Sequence, residues 1–212
     1  RRTSPPFPFP LKSAFLPSIK DGNGDRKEMK KELKVSTLFY PLPVLLIGTF
    51  DKDGNPDRRN AAWGGVYDED KVILSLSADH KTTENIKQKG VFSLSFAPLG
   101  REKEADYVGR VSAKAVKDKV KKAGFGSRKD VDGCPLFDKL PLTLVCKADH
   151  FDDNGNLIGK VRKVFADEEI LDKDGKVDVT LLKPLAFDPS LNQYYVRDKV
   201  VGKAFSLGKE IK

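Results

Sequence analysis

The sequence predicts a mainly β protein whose strands form a barrel, with a few short helices. Strand periodicity is the first sign, because apolar and polar residues alternate in three segments, at 72–76, 92–96 and 142–146, which places one face of each segment on a core. Turn sequences rich in Asp, Asn and Gly are the second sign, since they join neighbouring strands. With 212 residues and 39% hydrophobic content, the chain suits one well-buried core.

Two strands are expected before these three segments, on either side of a turn. Residues 44–50 are a short apolar run, residues 51–56 form a turn, and residues 58–65 combine small residues with one indole and adjacent glycines. Small residues allow backbone amides to approach a flat ring closely. Further along, an Asn-Gly type hairpin turn is expected at 152–156 and another turn at 172–175.

Three helices are expected. Residues 82–89 end at Gly90, residues 102–108 form a second helical segment, and residues 116–123 place Val116, Val120 and Ala123 on one face before Gly124. Glycine commonly ends helices because it adopts left-handed backbone angles without strain.

Residues 1–28 differ from the rest of the chain. No acidic residue precedes Asp21, and five of the 13 prolines lie by position 17. We predict a flexible extension over 1–28 and one domain over 29–212, beginning at Met29, the only methionine. Three origins of the extension stay open: an artefact of start-site assignment, which the position of Met29 favours, a remnant of an expression vector, or the remains of an organelle-targeting leader.

The charge does not by itself indicate a nucleic-acid partner. Of the formal charge of +8, residues 1–28 contribute six Lys or Arg against three Asp or Glu, and the remaining +5 is spread among 33 basic and 28 acidic residues. Such a balance is typical of a mixed, solvated surface, so no nucleic-acid partner is predicted. No apolar run approaches the roughly 18 residues of a membrane-spanning helix, so no membrane partner is predicted either.

Metal sites are not expected. Cys134 and Cys146 lack the four-ligand spacing of a zinc site, Cys146 lies in an alternating run typical of a core strand, and His80 and His150 have no third ligand at suitable spacing. Three Asp-x-Asp/Asn-Gly sequences lack the glycine and glutamate positions of a calcium loop, so we expect hairpin turns. The cysteines favour a reducing compartment, the cytoplasm, or an organelle if residues 1–28 are a leader.

The sequence His80-Lys81-Thr82-Thr83 is the main candidate for binding an anion. It offers a cation and two hydroxyl groups at the expected start of a helix, where free N–H groups and the helix dipole favour negative charge. The alternative is that a threonine only caps the helix, with Glu84 in the first turn and Lys81 in solvent. The residues alone favour capping, although one threonine can do both.

These segments form part of a longer similarity. The chain resembles the flavin reductase-like family of FMN-binding split-barrel proteins, in particular its flavoredoxin-type members, over five segments: 29–43, 60–65, 80–86, 105–109 and 201–206. Each segment alone is a weak signal, but together they are specific. The resemblance implies a split β-barrel that forms a homodimer and binds one FMN per subunit near the dimer interface, without covalent attachment.

The resemblance also implies the cofactor-binding residues. In the family, the segment that matches 80–83 contacts the flavin phosphate, and the loop that matches 57–63 follows the isoalloxazine ring. The expected FMN-binding residues are Asn60, Ala61, Ala62, Trp63, Ser75, Ser77, His80, Lys81, Thr82 and Thr83.

Several of these assignments keep an alternative. Many family members have Thr where this chain has Asn60, which changes the particular hydrogen bond expected there. Trp63 could shield the flavin ring or pack as a core aromatic. Ser75 and Ser77 could reach ribityl hydroxyls or be ordinary polar-face serines.

The function implied by the resemblance is that of an FMN-dependent oxidoreductase or electron carrier, which takes electrons from NAD(P)H or a protein donor and passes them to a small-molecule or protein acceptor. No dinucleotide fingerprint or P-loop is present, so NAD(P)H could bind only transiently on the flavin. No catalytic side chain is predicted, because the cofactor carries the chemistry. The alternatives are a non-enzymatic flavin-binding or storage module and a basic interaction protein without a cofactor.

Overall fold

The computed structural model describes residues 31–130, 132–196 and 199–211. The chain divides by its contacts into two units, residues 1–37 and 38–212. Residues 31–37 are exposed and form neither helix nor strand. The predicted extension over 1–28 and the domain start at Met29 lie outside the described residues, so that boundary stays a prediction. Among the described residues, no helix has both the length and the apolar character needed to cross a membrane.

Antiparallel strands dominate the second unit. They are β1 Leu42–Pro43, β2 Leu45–Phe50, β3 Pro56–Ala61, β4 Gly64–Asp68, β5 Lys71–Ser75, β6 Val91–Phe96, β7 Ser127–Lys129, β8 Pro135–Phe137, β9 Leu142–Phe151, β10 Asn156–Ala166, β11 Leu185–Asp188 and β12 Gln193–Val196. Seven of them form a curled half-barrel sheet in the order β3-β2-β6-β9-β10-β5-β4, while β1-β11-β12 and β7-β8 form two small sheets. The mainly β barrel prediction is confirmed.

The helices are short and lie between the strands. They are α1 Lys81–Lys89, α2 Glu102–Arg110, α3 Lys119–Lys122 and α4 Val179–Leu182, with single 3-10 turns at Glu168–Ile170 and Leu207–Glu210. Helix α1 ends as expected, because Gly90 adopts a φ of 71° and its N–H donates to the Ile86 carbonyl at 2.8 Å. The predictions of α1 and α2 are confirmed to within two residues at each end.

The third helix is shorter than the sequence indicated. Val120 and Ala123 are buried as predicted, but the helix begins only at Lys119. Before it, Ala115 and Val116 both donate their N–H to the Ser112 carbonyl, at 3.0 and 2.9 Å. Val116 and Val120, four positions apart, therefore belong to a turn and to a short helix, and not to one continuous helix. The spacing did not distinguish these cases, because a turn followed by a helix can also place such residues on one side.

The half-barrel sheet is packed on both faces. Strand β2 supplies Leu46 to one core and Leu45 and Ile47 to the other, which explains its continuous apolar run. The first core includes residues from α2, α3 and the β7-β8 hairpin, and the second includes residues from β5, β6 and β9. The packing of both faces fixes β3, the outer neighbour of β2, whose far end carries the candidate site.

Two single-residue expectations are settled by burial. Cys146 is fully buried in the second core, and both it and Cys134 are free thiols. Burial raises the pKa of Cys146 to about 12. Trp63 is 63% exposed, so of its two alternatives the one in which it packs as a core aromatic is wrong. It lies between β3 and β4, the two outer strands of the seven-stranded sheet.

Candidate functional site

Three segments meet at one end of the sheet: the end of β3, the end of β5 and the start of α1. The N–H of Ser75 donates to the Trp63 carbonyl at 2.9 Å, which joins β5 to the residue that follows β3. The Ser77 carbonyl then accepts the N–H of His80 at 3.3 Å and the Thr83 hydroxyl at 2.8 Å. These bonds bring the residues predicted from 60–63, 75–77 and 80–83 into one region.

The start of α1 provides donors without side-chain caps. His80 is its N-cap in an extended conformation and makes no side-chain capping bond. The first hydrogen bond that closes the helix runs from the N–H of Glu84 to the His80 carbonyl at 3.1 Å. The N–H groups of the three preceding helical residues are therefore the unsatisfied donors of a helix start, which attract anions.

The two threonines of the helix point inward. The Thr82 hydroxyl donates to Oδ2 of Asp57 at 2.7 Å, and the Thr83 hydroxyl donates to the Ser77 carbonyl. Both side chains are buried. Their hydroxyl hydrogens are used inside the fold, and neither residue acts as the N-cap, so the expected choice between capping and binding does not describe them. Any contact they make with an anion would use their backbone N–H groups.

Several cations lie near the same helix start, together with the acidic Asp79 and Glu84. Lys81 is partly buried and lies 3.7 Å from Glu84. Burial lowers the pKa of His80, and the positive charges of Arg59, Lys119 and Lys114 lower it against the opposing effect of Asp79. His80 is therefore neutral at neutral pH and lies in a field that favours a negatively charged ligand.

Arg59 is a site residue that sequence reasoning missed. It is half-buried on β3 beside Asn60, and burial lowers its pKa while Asp57 and Asp79 oppose the shift. Its position one residue before the predicted Asn60 is a signal that could have indicated it. Lys114 was also missed, and its position far along the chain gives no local signal.

The remaining predicted residues differ in exposure. Asn60 is partly buried, and its amide donates to the Ala105 carbonyl of α2 at 3.2 Å. Ala61 packs against the second core. Ser75 and Ser77 are both exposed, as is Trp63. The segment 57–63 is mostly the regular strand β3, not the loop that was expected, because residues 56–61 pair with β2 along its whole length.

A buried polar network supports the helix start from below. Nζ of Lys119 lies 3.0 Å from Oδ1 of Asp57, and both side chains are almost fully buried. Lys119 also donates to the carbonyls of Val111 and Val108, at 2.9 and 3.3 Å. Burial lowers the pKa of Lys119, and the Asp57 carboxylate opposes that shift. The network joins β3, α1 and α3.

A second buried cation lies on the opposite face of β3. The guanidinium carbon of Arg58 is 4.2 Å from the ring centre of Phe125 and 3.6 Å from that of Phe137. No described residue forms a hydrogen bond with its three nitrogens. The two aromatic rings provide the contact that a desolvated guanidinium prefers. Strand β3 is thereby fixed from both sides.

Comparison with known proteins identifies the family of this arrangement. The model of the flavin reductase like domain matches residues 37–190 of the chain. The structure is similar to that of flavoredoxin from Desulfovibrio vulgaris (Miyazaki F), with 31% sequence identity, a TM-score of 0.82, and coverage of 85% of this chain and 100% of that chain. The chain belongs to the flavin reductase-like family. The resemblance stated from its motifs is confirmed.

Other members of the flavin reductase-like family support the fold. Flavoredoxin from Methanosarcina acetivorans is 25% identical, with a TM-score of 0.77 over 86% of this chain and 100% of that chain. A flavin reductase with a split barrel domain from Shewanella frigidimarina NCIMB 400 is 21% identical, with a TM-score of 0.67 over 78% of this chain and 86% of that chain. The half barrel is therefore the split barrel of this family. Functionally curated protein sequences give no significant match.

Among the described residues of this flavin reductase-like fold, no group of three or more His, Cys, Asp or Glu side chains is placed to hold a metal ion. Two of the three Asp-rich turns are hairpin turns as expected, because they join β2 to β3 and β9 to β10. The turn at Asp172 instead lies between the 3-10 turn Glu168–Ile170 and α4 and is flanked by a single bridge between Leu171 and Val177. In each, an aspartate carboxylate accepts N–H groups two and four residues later, as Asp51 does from Asp53 and Asn55 at 2.9 and 2.8 Å.

Proposed function

We propose that the chain binds FMN non-covalently at the start of α1 and acts in electron transfer as a flavoredoxin-type oxidoreductase. The carrying observation is the first turn of α1, which has no side-chain cap and carries Lys81 beside the N-cap His80. The positive charge of Arg59 lowers the pKa of His80, and the exposed Trp63 lies two residues beyond the end of β3. The 31% identity to a flavoredoxin over all of that chain supports the same function.

The phosphate would be bound mainly by backbone donors and cations. The N–H groups of Lys81, Thr82 and Thr83 provide the neutral donors, and the side chains of Lys81 and Arg59 provide the charge. Thr82 has a second role, because its hydroxyl fixes the helix start to Asp57 at 2.7 Å. His80 lies beside these phosphate-binding donors as a neutral imidazole, and it can gain a proton when the phosphate of FMN binds.

The ring and ribityl chain would follow the exposed strand ends. Ala61 and Ala62 bring the backbone close to the ring edge because their side chains are small, and Trp63 can cover one face of the ring. Ser75 and Ser77 are exposed beside them and can meet the ribityl hydroxyls. Asn60 is directed to α2 by its bond to Ala105, so its part in the site is to position the strand.

The chemistry of the site belongs to the cofactor. Bound FMN would supply hydride and electron transfer between a donor, either NAD(P)H or a reduced protein, and a small-molecule or protein acceptor. The residues of this chain would bind the phosphate, orient the ring and limit the access of water. No side chain is proposed as a catalytic acid, base or nucleophile.

A homodimer is part of the proposal. Strand β4 is an outer strand of the seven-stranded sheet, and its Val66 is 84% exposed beside Tyr67 and Trp63, which are also exposed. An exposed apolar strand at a sheet edge is typical of an interface. We expect a symmetric dimer with an interface above roughly 1,000 Å². Light scattering that gives a monomer for the FMN-loaded protein would contradict it.

The cofactor proposal is tested by binding. Purified protein should show the absorption of oxidised flavin, and acid should release the pigment. Lys81→Ala and Arg59→Ala should each weaken FMN by about three- to thirtyfold, because each removes one charged contact to the phosphate. Riboflavin lacks the phosphate and should bind both variants as it binds the wild type. Equal losses for the two flavins would reject the phosphate assignment.

Reduction and reoxidation of the bound flavin distinguish an electron carrier or enzyme from a flavin-storage module. Under anaerobic conditions, NAD(P)H or a reduced protein donor should bleach the bound flavin, and an added acceptor should restore its absorption. A protein that binds FMN tightly but exchanges no electrons with any such donor would favour the storage module instead.

A further inference from the structure

The positive charge of the chain is concentrated in one segment. Residues 110–129, called here the basic segment, contain eight Lys or Arg and one acidic residue, Asp118, a net charge of +7 against +8 for the whole chain. The count of 33 basic and 28 acidic residues outside residues 1–28 does not reveal this concentration. The local excess was hidden because acidic residues elsewhere in the chain balance it.

The fold presents nearly all of these cations to solvent. Val120, Ala123 and Phe125 of the basic segment are buried in the first core, and Lys119 is buried in its ion pair with Asp57. The seven other cations are exposed; they are Arg110, Lys114, Lys117, Lys121, Lys122, Arg128 and Lys129. Apolar residues thus anchor the segment while its charges form an outward surface.

The basic segment begins beside the proposed cofactor site. Nζ of Lys114 donates to the Asp79 carbonyl at 2.8 Å and pairs closely with Glu84 of α1. An open cavity of about 390 Å³ is lined by Lys81, Lys114 and Lys117 together with four acidic residues, Asp51, Asp53, Asp57 and Glu84. The basic segment is therefore joined to the start of α1 through Lys114, whose partners there are the Asp79 carbonyl and the Glu84 carboxylate.

We propose that the basic segment is the docking surface for an acidic electron-carrier protein that exchanges electrons with the cofactor. The inference rests on the proposed function for its redox role, but the docking itself depends only on the surface. Complementary charge increases the rate of encounter, and redox pairs use small, polar, short-lived interfaces.

The extent and composition of the surface favour a protein over other anions. Seven exposed cations spread over 20 residues exceed what the phosphates of one small molecule could contact together. The basic segment contains one aromatic residue, Phe125, and it is buried, whereas single-stranded nucleic-acid sites combine positive charge with exposed aromatic rings that stack on bases.

The test uses the full-length, FMN-loaded protein and a [2Fe–2S] ferredoxin of net negative charge as the probe. The variant carries Lys117→Glu and Lys121→Glu, two exposed residues for which no ion pair is found among the described residues. The control carries Lys173→Glu and Lys176→Glu, which make the same charge change at an exposed turn outside the basic segment. Biolayer interferometry measures the affinity and the association rate.

We expect K117E/K121E to weaken ferredoxin binding by at least about tenfold at low ionic strength and the control to weaken it by less than about threefold, with both differences shrinking at high salt. Equal losses in the two variants, or no ferredoxin binding by the wild type, would overturn the docking surface. A single-stranded oligonucleotide that binds more tightly than ferredoxin and is lost in the same variant would assign the surface to nucleic acid instead.

FMN binding and ferredoxin docking are measured separately on the same variants, so either one can fail without the other. FMN content and melting temperature are measured on every variant, and both should match the wild type because Lys117 and Lys121 are exposed and lie outside the proposed phosphate contacts. Protein that contains no flavin but still binds ferredoxin through the basic segment would reject the proposed function and keep the docking surface.

Discussion

Thr82 and Asp57 are joined by a buried hydrogen bond of 2.7 Å, in which the threonine hydroxyl donates to one carboxylate oxygen. The other oxygen of Asp57 faces Lys119 at 3.0 Å. One carboxylate therefore holds both the start of α1 and the basic segment, to which Lys119 belongs. Because the side chains of Asp57 and Lys119 are only 4% and 3% exposed, removing either charge leaves the other in a nonpolar environment.

Replacing Lys119 by methionine should destabilise the protein strongly. Lys119→Met keeps most of the side-chain volume but leaves Asp57 charged, buried and supported only by Thr82. We expect a loss of about 3–5 kcal/mol in the free energy of unfolding, the usual result of breaking a buried ion pair on one side. Urea denaturation of the wild type and the variant measures it.

Two further variants control this result. Lys121→Met makes the same substitution at an exposed neighbour and should change stability by less than about 0.5 kcal/mol. The double variant Asp57→Asn/Lys119→Met removes both charges while the asparagine oxygen can still accept from Thr82, so it should be more stable than Lys119→Met alone. A double variant that loses the sum of the two single losses would show that the charges do not interact.

The hairpin turn at Asp152 should make part of the stability depend on pH. Hydrogen bonds from the side chain and backbone of Asn156 and from the backbone of Asn154 lower the pKa of Asp152. Its folded pKa lies below the unfolded value of about 3.9. The turn therefore contributes its full stability above about pH 5 and loses it as the pH falls through the folded pKa.

Asp152→Asn tests this sign. Asparagine can accept the same N–H groups but does not titrate, so its contribution stays constant with pH. The melting temperature of the wild type should exceed that of the variant at neutral pH, and the difference should shrink as the pH is lowered to about 2. A difference that grows toward acid pH would contradict the assigned shift.

The features that the sequence predicted correctly depend on neighbours along the chain. The turn at Asp152 is specified by Asn154 and Asn156, and the end of α1 by Gly90, whose N–H reaches only as far as Ile86. Local chemistry of this kind is visible in a few consecutive residues. The family similarity added the split barrel, which no single segment specifies.

The features that the sequence did not predict depend on distant partners. The Thr82 hydroxyl turns inward because Asp57, 25 residues earlier, is buried below it. Asp57 can be buried because Lys119 reaches it from a different element. The concentration of charge around Lys119 has a different origin, because it lies in consecutive residues, 110–129, and was missed because the total composition averages it away.

FMN should raise the pKa of His80. Burial and the positive charge of Arg59 lower that pKa in the free protein, and a phosphate at the start of α1 would add a negative charge beside the ring. Proton NMR titration with and without FMN measures the shift. Riboflavin should leave the pKa of His80 unchanged, and an equal response to both flavins would place the phosphate elsewhere.

The same linkage gives a pH dependence of binding. Because FMN raises the pKa of His80, binding takes up a proton, and the affinity for FMN should increase as the pH falls from about 8 to about 6. His80→Gln should flatten this dependence. The range stops near pH 6 because the phosphate itself gains a proton at about that value.

Trp63 gives a direct optical test of where the ring lies. It is the only tryptophan, and its side chain is 63% exposed, so the protein without flavin should show the red-shifted emission of a solvated indole. If the flavin ring lies against Trp63, adding FMN should quench most of this emission and shift the remainder to shorter wavelength, because stacking excludes water from the indole.

Trp63→Phe and Trp63→Ala distinguish direct contact between Trp63 and the flavin ring from quenching of the Trp63 emission by a more distant flavin. Phenylalanine preserves an aromatic face and should weaken FMN by less than about threefold, whereas alanine removes the face and should weaken it by about three- to tenfold, in keeping with about 0.5–1.5 kcal/mol for an aromatic pair. Riboflavin should show the same losses, because the contact involves the ring and not the phosphate. Quenching by FMN without any loss of affinity in Trp63→Ala would place the ring within energy-transfer range of Trp63 but not against it.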